Sequence, residues 1–174
     1  MNNSEHKILP DGSEEWRLNG KYHREDGPAV IDRNGLEYWY KDGLLHREDG
    51  PALIYPDGKK EWFNNGEYHR IGGPAIIYPN GTEFWYRDGL LHREDGPAII
   101  TSYGTKYWYK DGLRHREDGP AVIYSDGSEF WYKDGELHHI DGPAMIYPDG
   151  SEYWYINGKE YSENEFNFWI RCHE

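Results

Sequence analysis

Residues 34–56 read NGLEYWYKDGLLHREDGPALIYP, and the chain repeats this stretch with small changes along almost its whole length. Blocks of 23 residues follow one another from Asp11 to Arg171 without an insertion. A fixed period of this kind is the sequence signature of a repeat protein, in which each unit buries its apolar face against its neighbours. One column of the alignment holds seven tryptophans: Trp16, Trp39, Trp62, Trp85, Trp108, Trp131 and Trp154.

Two turn signals recur in each unit and predict β-hairpins. One is Pro-Asp-Gly or a relative, as at residues 148–150, and the other is Asp-Gly or Asn-Gly, as at residues 42–43. Because proline cannot adopt a positive φ, Pro-Asp-Gly favours a type I turn closed by a left-handed glycine. That turn pairs Met145 with Tyr153, and it predicts about two strands in each repeat.

The expected architecture is all-β: an elongated, single-layer antiparallel β-hairpin array of seven 23-residue units with a short C-terminal helix. We predict a single repeat domain over residues 1–174. Residues 1–10 form an N-terminal half-unit, residues 11–161 carry the repeats, and residues 162–174 form a helical cap.

The two ends of the chain depart from the repeat. Ser162 and Glu165 form a capping-box pattern, which predicts a helix over residues 163–172. Its apolar side chains, Phe166, Trp169 and Ile170, are expected to pack on the final strand. Charged residues flank Trp16 in the first repeat, so we expect an exposed edge strand there.

Composition limits the classes of partner. The chain has 32 acidic and 19 basic residues and a formal charge of −13, which opposes binding to nucleic acid or anionic lipid and favours a basic or neutral protein. The N-terminal ten residues lack the apolar core of a signal peptide, and 18 apolar residues never run together. A lone cysteine, Cys172, fits a reducing compartment. We therefore expect a cytoplasmic protein that does not span a membrane.

The units resemble MORN repeats, which are also about 23 residues long. The resemblance lies in the Tyr-rich run over residues 147–155 and in the Trp-Tyr-Lys-Asp-Gly run that starts at Trp39, and it covers about residues 6–161. The variant repeats of bacterial and viral proteins are more similar than the standard ones. Where MORN units have His-Gly-x-Gly, this chain has the longer and more charged His-Arg-Glu-Asp-Gly-Pro-Ala. The resemblance implies a β-hairpin array that scaffolds, dimerises or binds other molecules, in some bacterial cases as an antitoxin.

A histidine column is the feature that most invites a chemical interpretation. Histidine followed by carboxylates could ligate a metal or act in acid–base catalysis. Equivalent residues of adjacent units lie roughly 10 Å apart, however, whereas ligands converge within about 2–2.5 Å of one ion. We therefore favour a structural ladder in which Arg pairs with Glu or Asp across units and His packs on Trp. No cofactor, metal site or catalytic residue is predicted, and the protein is not expected to be an enzyme. The column consists of His23, His46, His69, His92, His115 and His138.

Candidate binding residues lie where the units differ or where aromatic rings recur. Ile71 and Ile140 replace the usual glutamate, and they are exposed apolar contacts for a partner if that column faces solvent; duplication history or a local packing change is the alternative. Leucines vary with other residues at two further columns, either as a partner-specific surface or as drift. A tyrosine ladder is either buried core or a groove for rings and cations. Besides the isoleucines, the candidates are Leu44, Leu45, Leu90, Leu91, Tyr86, Tyr109 and Tyr132.

These patterns lead to three functional hypotheses. The first is a non-catalytic module that binds a protein partner, as an immunity or antitoxin-like protein or as a phage or viral protein that blocks a host factor. The second is a scaffold that assembles with itself, for example as a homodimer. The third is a small-ligand sponge with repeated aromatic pockets.

Overall fold

The computed structural model describes residues 3–173 and divides into two compact units, Met1–Leu90 and Leu91–Glu174. Both units consist of short antiparallel strands in hairpin order, and one helix closes the second. The predicted all-β hairpin architecture is confirmed. Residues 1, 2 and 174 of the predicted half-unit and cap lie outside the described residues.

The first unit contains fourteen complete strands among its described residues, and a fifteenth, Leu90–Leu91 (β15), lies at its boundary. They are Ser4–Ile8 (β1), Glu14–Leu18 (β2), Lys21–Tyr22 (β3), Val30–Ile31 (β4), Glu37–Tyr38 (β5), Tyr40–Lys41 (β6), Leu44–Leu45 (β7), Leu53–Ile54 (β8), Lys60–Glu61 (β9), Phe63–Asn64 (β10), Glu67–Tyr68 (β11), Ile76–Ile77 (β12), Glu83–Phe84 (β13) and Tyr86–Arg87 (β14).

The second unit continues the same pattern and ends in the helix. Its strands are Ile99–Ile100 (β16), Lys106–Tyr107 (β17), Tyr109–Lys110 (β18), Leu113–Arg114 (β19), Val122–Ile123 (β20), Glu129–Phe130 (β21), Tyr132–Lys133 (β22), Glu136–Leu137 (β23), Met145–Ile146 (β24), Glu152–Ile156 (β25) and Lys159–Tyr161 (β26), and its helix is Glu163–His173 (α1).

Each unit has one main sheet in which strands that follow one another along the chain are neighbours. The order is β1-β2-β4-β5-β8-β9-β12-β13 in the first unit, where β3 also pairs with β2. In the second unit the order is β16-β17-β20-β21-β24-β25-β26. The pairs β6-β7, β10-β11, β18-β19 and β22-β23 form separate small hairpins beside these sheets.

The two turn signals give two different turns. Gly150 has a φ of 85° while Asp149 does not have a positive φ, which is the expected type I turn with a left-handed glycine. It pairs Met145 with Tyr153, so the predicted register is confirmed. Asp42 and Gly43 both have positive φ, 53° and 85°, as a type I′ turn requires. The chain thus uses one turn for the main sheet and the other for the small hairpins.

Each of the five inner repeats, between residues 34 and 148, contains four short strands, so the expected two per repeat was wrong for them. The long strand is interrupted at tryptophan: Tyr38 belongs to the main sheet, Tyr40 belongs to the small hairpin, and the N–H of Trp39 between them donates to the carbonyl of Ala52 at 2.7 Å. Alanine suits this crowded crossing because its side chain needs little room. The alanine column is fully buried at Ala29, Ala52, Ala75, Ala98, Ala121 and Ala144.

The N-terminal residues pair as the predicted half-unit should. Strand β1 lies along the outer side of β2, with His6 opposite Trp16 and Ile8 opposite Glu14. Because β2 pairs with β1 on one side and β4 on the other, the expectation of an exposed edge at Trp16 was wrong. His6 stacks on the Trp16 ring at a centroid distance of 4.3 Å and covers it.

The C-terminal helix has the predicted cap. Ser162 Oγ accepts the N–H of Glu165 at 3.4 Å, and Glu165 Oε2 accepts the N–H of Ser162 at 2.8 Å. Phe166 is buried, Trp169 and Ile170 are half-buried, and Phe168 remains 64% exposed. The helix therefore covers the end of the second unit with only part of its apolar surface.

Candidate partner-binding connectors

Six connectors link the small hairpins to the main-sheet strands that follow them along the chain. Each connector runs from the recurring histidine of one repeat to the proline five residues later. The histidine of each connector joins its repeat to the next one. In connector 46–51, His46 Nδ1 accepts the backbone N–H of Asn65 at 3.2 Å. The same bond recurs at 3.1–3.2 Å in the other connectors, 23–28, 69–74, 92–97, 115–120 and 138–143.

The arginine of a connector covers the tryptophan of its own repeat. Arg47 Cζ lies 3.6 Å from the centroid of the Trp39 ring, which is a close cation–π contact. Its Nε donates to Asp49 Oδ1 at 2.8 Å, and its Nη1 donates to the Pro51 carbonyl at 3.3 Å. A Cβ at Gly50 would lie only 2.8 Å from Arg47 Cζ, so the arginine needs glycine at this crossing. Equivalent stacks are formed by Arg24 on Trp16, Arg70 on Trp62 and Arg116 on Trp108.

These contacts correct two details of the expected ladder. Arginine pairs with the aspartate two residues later in the same connector, not with an acid of another repeat. Arginine rather than histidine lies on tryptophan, except where His139 replaces it and stacks on Trp131 at 4.8 Å. Sequence reasoning missed these roles because they depend on how the connector folds back over the ring.

The two acids of a connector differ electrostatically. The hydrogen bond from Arg47 lowers the pKa of the Asp49 carboxyl, and arginine does the same for Asp26, Asp95 and Asp118. The preceding glutamate is the more weakly held acid: Glu48 lies 3.5 Å from both Lys41 and His46 and has a 79% exposed side chain. The glutamates therefore place negative charge on the outer surface at intervals of one repeat.

The two isoleucines that replace these glutamates also face solvent. Ile71 is 90% exposed and Ile140 is 50% exposed. Both side chains therefore face solvent, which is the condition under which they were considered contacts for a partner.

The leucine candidates fall into two groups. Leu44 and Leu90 are half-exposed at the tips of small hairpins, and Leu44 Cδ2 lies 3.6 Å from the position of a Cβ on Gly66. Leu45 instead packs on a buried cluster that includes Leu53, and Leu91 is half-buried. The first group offers surface to a partner, whereas Leu45 contributes mainly to the packed face.

The tyrosine candidates are all half-buried and have contacts within the chain. The Tyr86 ring lies 5.1 Å from the Tyr68 ring. Arg114 donates from Nε to the Tyr109 hydroxyl at 3.3 Å and from Nη1 to the Tyr132 hydroxyl at 3.2 Å. A cation of the chain itself therefore occupies the position between Tyr109 and Tyr132 that a ligand would need.

Sequence reasoning also missed a buried polar cluster around Glu61 in the first unit. Glu61 is 3% exposed, and its carboxylate contacts Lys59 Nζ at 2.5 Å and accepts from the Tyr68 hydroxyl at 3.2 Å. Burial, with Glu61 as a second cause, raises the pKa of Tyr68 to about 12. Lys59 also lies over the Tyr55 ring at 4.7 Å. The carboxylate is thus matched by a cation and a hydroxyl, as burial of an acid requires.

Grooves open between successive connectors within each unit. The groove between connectors 23–28 and 46–51 has a volume of about 490 Å³, and that between 46–51 and 69–74 about 570 Å³. In the second unit, the groove between connectors 115–120 and 138–143 measures about 460 Å³. Their floors carry tryptophan and the following aromatic residue, and their walls carry the charged connector side chains.

Metal binding and membrane spanning find no structural counterpart in the described part of the chain. Residues 3–173 contain no group of three or more His, Cys, Asp or Glu side chains placed to hold a metal ion. None of the helical structure among them is long and apolar enough to cross a bilayer.

No protein-family model matches the chain, and no curated protein matches it either. The functional argument therefore depends on the connectors themselves.

Proposed function

We propose that this protein is a non-catalytic repeat module that binds a protein partner with a basic surface through its connectors. The observation that carries the proposal is the exposed glutamate of the regular connectors, beside an aspartate that arginine already neutralises. The side chains of Glu25, Glu48 and Glu117 are 93%, 79% and 84% exposed. In each unit, exposed carboxylates of this kind suit a surface with several lysines or arginines, and they accelerate encounter with that surface.

The sign of the charge favours a protein over the other large partners. A formal charge of −13 repels nucleic-acid phosphates and anionic headgroups, and the arginines of connectors 23–28, 46–51 and 115–120 are paired with aspartates of the chain itself. The resemblance to bacterial and viral MORN variants suggests the biological setting. An immunity or antitoxin-like protein, or a phage or viral protein that blocks a host factor, would act in the cytoplasm by covering the basic surface of its target.

Capture of the partner with matched charge variants tests this proposal. Glu25→Gln, Glu48→Gln and Glu117→Gln in one chain should weaken binding of a captured basic protein roughly tenfold or more, because three exposed contacts are neutralised. The control carries Glu67→Gln, Glu136→Gln and Glu152→Gln, which remove the same charge from exposed positions outside the connectors. Isothermal titration with the purified partner should show loss only in the connector variant. Equal weakening in both variants, or a nucleic acid as the sole ligand, would contradict the proposal.

Self-assembly is a second candidate because the helical cap leaves an apolar groove. Tyr161, Phe168, Trp169 and Cys172 line a groove of about 450 Å³, and Phe168 is 64% exposed. Light scattering over a hundredfold range of concentration tests this function. A mass that rises with concentration for the native chain but not for Phe168→Ser would favour the scaffold, and a constant monomer mass would exclude it.

A further inference from the structure

Connector 69–74 differs from its counterparts at adjoining positions. It reads HRIGGP, so Ile71 and Gly72 stand where the connectors 23–28, 46–51, 92–97 and 115–120 have Glu and Asp. Gly72 also has a φ of 72°, whereas the aspartates at this position do not have positive φ. The connector therefore lacks both acids and takes a different backbone path.

The missing aspartate leaves one arginine without its usual carboxylate. Arg70 lies over Trp62 at 3.9 Å and donates to the Pro74 carbonyl at 3.1 Å, as the other connector arginines do. In those connectors, arginine Nε also donates to the aspartate at 2.8–2.9 Å. Within residues 3–173, Arg70 forms no such ion pair. Partial burial lowers the pKa of its guanidinium, and the charge of Glu83 opposes that shift only from a distance.

The unpaired guanidinium borders the groove between connectors 46–51 and 69–74, which has a volume of about 570 Å³. One wall carries Arg70 and Ile71, and the floor carries Trp62 and Phe63. His46 and the two acids of connector 46–51 line the other wall, so two arginines balance two carboxylates and the groove has little net formal charge. It therefore does not share the acidic character of the chain as a whole.

We propose that this groove binds a segment of a protein partner that presents a carboxylate to Arg70 and an apolar side chain to Ile71. The carboxylate takes the position that aspartate occupies in the regular connectors, where the arginine Nε–H points toward it. The exposed Ile71 side chain lies next in sequence, so an apolar side chain beside the acid of the partner can cover it. Charged and apolar contacts are thus recognised together.

The site gives the connectors of the first unit a register that the two regular ones lack. Connectors 23–28 and 46–51 are identical and 23 residues apart, so a basic surface could dock on this unit at more than one offset with similar energy. One connector that requires a carboxylate instead of a cation favours a single offset. This role rests on the proposed function, but the chemistry of the site can be tested without the natural partner.

Nuclear magnetic resonance of the full chain, with labelled arginine Nε–Hε groups and isoleucine methyls, tests the site directly. The probe is the dipeptide Leu-Asp, acetylated and amidated at its ends. It should shift the Arg70 and Ile71 signals together and saturably, with a dissociation constant on the order of 1 mM, while the Arg24 and Arg116 signals stay in place. The Leu-Asn dipeptide should bind roughly tenfold more weakly because it lacks the charge. Tighter binding of Leu-Lys than of Leu-Asp would overturn the proposal.

Two variants separate the site from a general effect on folding. Arg70→Gln should abolish the response at Ile71, and Ile71→Glu should weaken binding roughly tenfold by placing a like charge beside the ligand. The control is Arg116→Gln, which removes a connector arginine outside this groove and should leave peptide binding unchanged. Equal loss with Arg70→Gln and Arg116→Gln would overturn the site. If the native chain does not bind the peptide while partner capture still depends on the connector glutamates, this site is removed and the proposed function stands.

Discussion

Repeats two (residues 34–56) and three (57–79) share one backbone pattern but differ in chemistry at two packed positions. In repeat two, Tyr38 and Leu45 pack with Leu53 and Phe63 in an apolar cluster. In repeat three, the equivalents of the first two are Glu61 and Tyr68, joined by a hydrogen bond of 3.2 Å. We call these two positions, just before tryptophan and just before histidine, the inner pair. The comparison shows that the fold accepts either an apolar or a polar inner pair.

The inner pair takes further forms in other repeats. Glu15 and Tyr22 of repeat one form the polar pair, with the Tyr22 hydroxyl donating to Glu15 at 2.8 Å. Arg114 lies 5.8 Å from the Tyr107 ring in repeat five. The connectors stay nearly constant while the inner pair varies, so the repeats differ from one another mainly at the inner pair. The remaining even-numbered repeats have the aromatic and leucine combination at Phe84 and Leu91 and at Phe130 and Leu137.

The largest expected effect comes from removing an aromatic side chain on which both kinds of inner pair pack. Phe63 is 8% exposed, and its ring lies 4.3 Å from that of Tyr68. Phe63→Ala should lower the free energy of unfolding by about 3–5 kcal/mol. Chemical denaturation measures this loss of stability. The control is Phe168→Ala, which removes an exposed ring and should cost less than about 0.5 kcal/mol. Similar losses for the two variants would show that Phe63 is not part of a packed core.

A transplant of the apolar pair into repeat three tests the comparison itself. Glu61→Leu alone should cost about 2–3 kcal/mol, because it leaves the Lys59 ammonium and the Tyr68 hydroxyl without their acceptor. Combining Lys59→Leu, Glu61→Tyr and Tyr68→Leu copies repeat two and should return stability to within about 1 kcal/mol of the native chain. Denaturant titration of both variants provides the measurement. If the triple variant were as unstable as Glu61→Leu, the three exchanged residues would not be sufficient to convert the polar pair of repeat three into the apolar pair of repeat two.

The polar pair should also make the first unit sensitive to alkali. The pKa of Tyr68 rises from 10.0 to about 12 in the fold, so the folded state favours the neutral phenol. Its contribution to stability is complete below pH 10 and is lost as the pH rises towards 12. The raised pKa of Lys59 acts in the same direction. Denaturation midpoints measured between pH 9 and about 12 should fall less steeply for Tyr68→Phe than for the native chain. If the midpoints of both chains fell equally steeply with pH, Tyr68 would not be the source of the sensitivity to alkali.

The smallest expected effect distinguishes connectors that look alike. Burial lowers the pKa of His138 below 6.5, and its hydrogen-bonding neighbour is Asn157, where most connectors have aspartate. The folded state therefore favours neutral His138. Its contribution to stability is lost as the pH falls below the pKa of free histidine, about 6.5. Thermal unfolding of His138→Gln between pH 5 and 7 should show a weaker dependence on pH than the native chain. A steeper dependence would contradict the assignment.

The local chemistry of the chain was predictable, and its longer-range contacts were less so. Proline at residue 148 and the Ser162–Glu165 capping box decide their turn and helix within a few residues, and both predictions are confirmed. The break between Tyr38 and Tyr40 coincides with a bond from the Trp39 N–H to the Ala52 carbonyl in the chain's tertiary structure, which no local pattern encodes. The matched change of Glu61 and Tyr68 was visible in sequence. It was missed because the two columns were compared separately.

The histidine bond has a consequence for how such a chain can change in length. Each connector histidine accepts a backbone N–H from the next hairpin, as His46 does from Asn65, so the bond makes no demand on the side chain of the neighbour. A duplication or deletion of one whole 23-residue block would therefore rejoin its neighbours through the same main-chain bond.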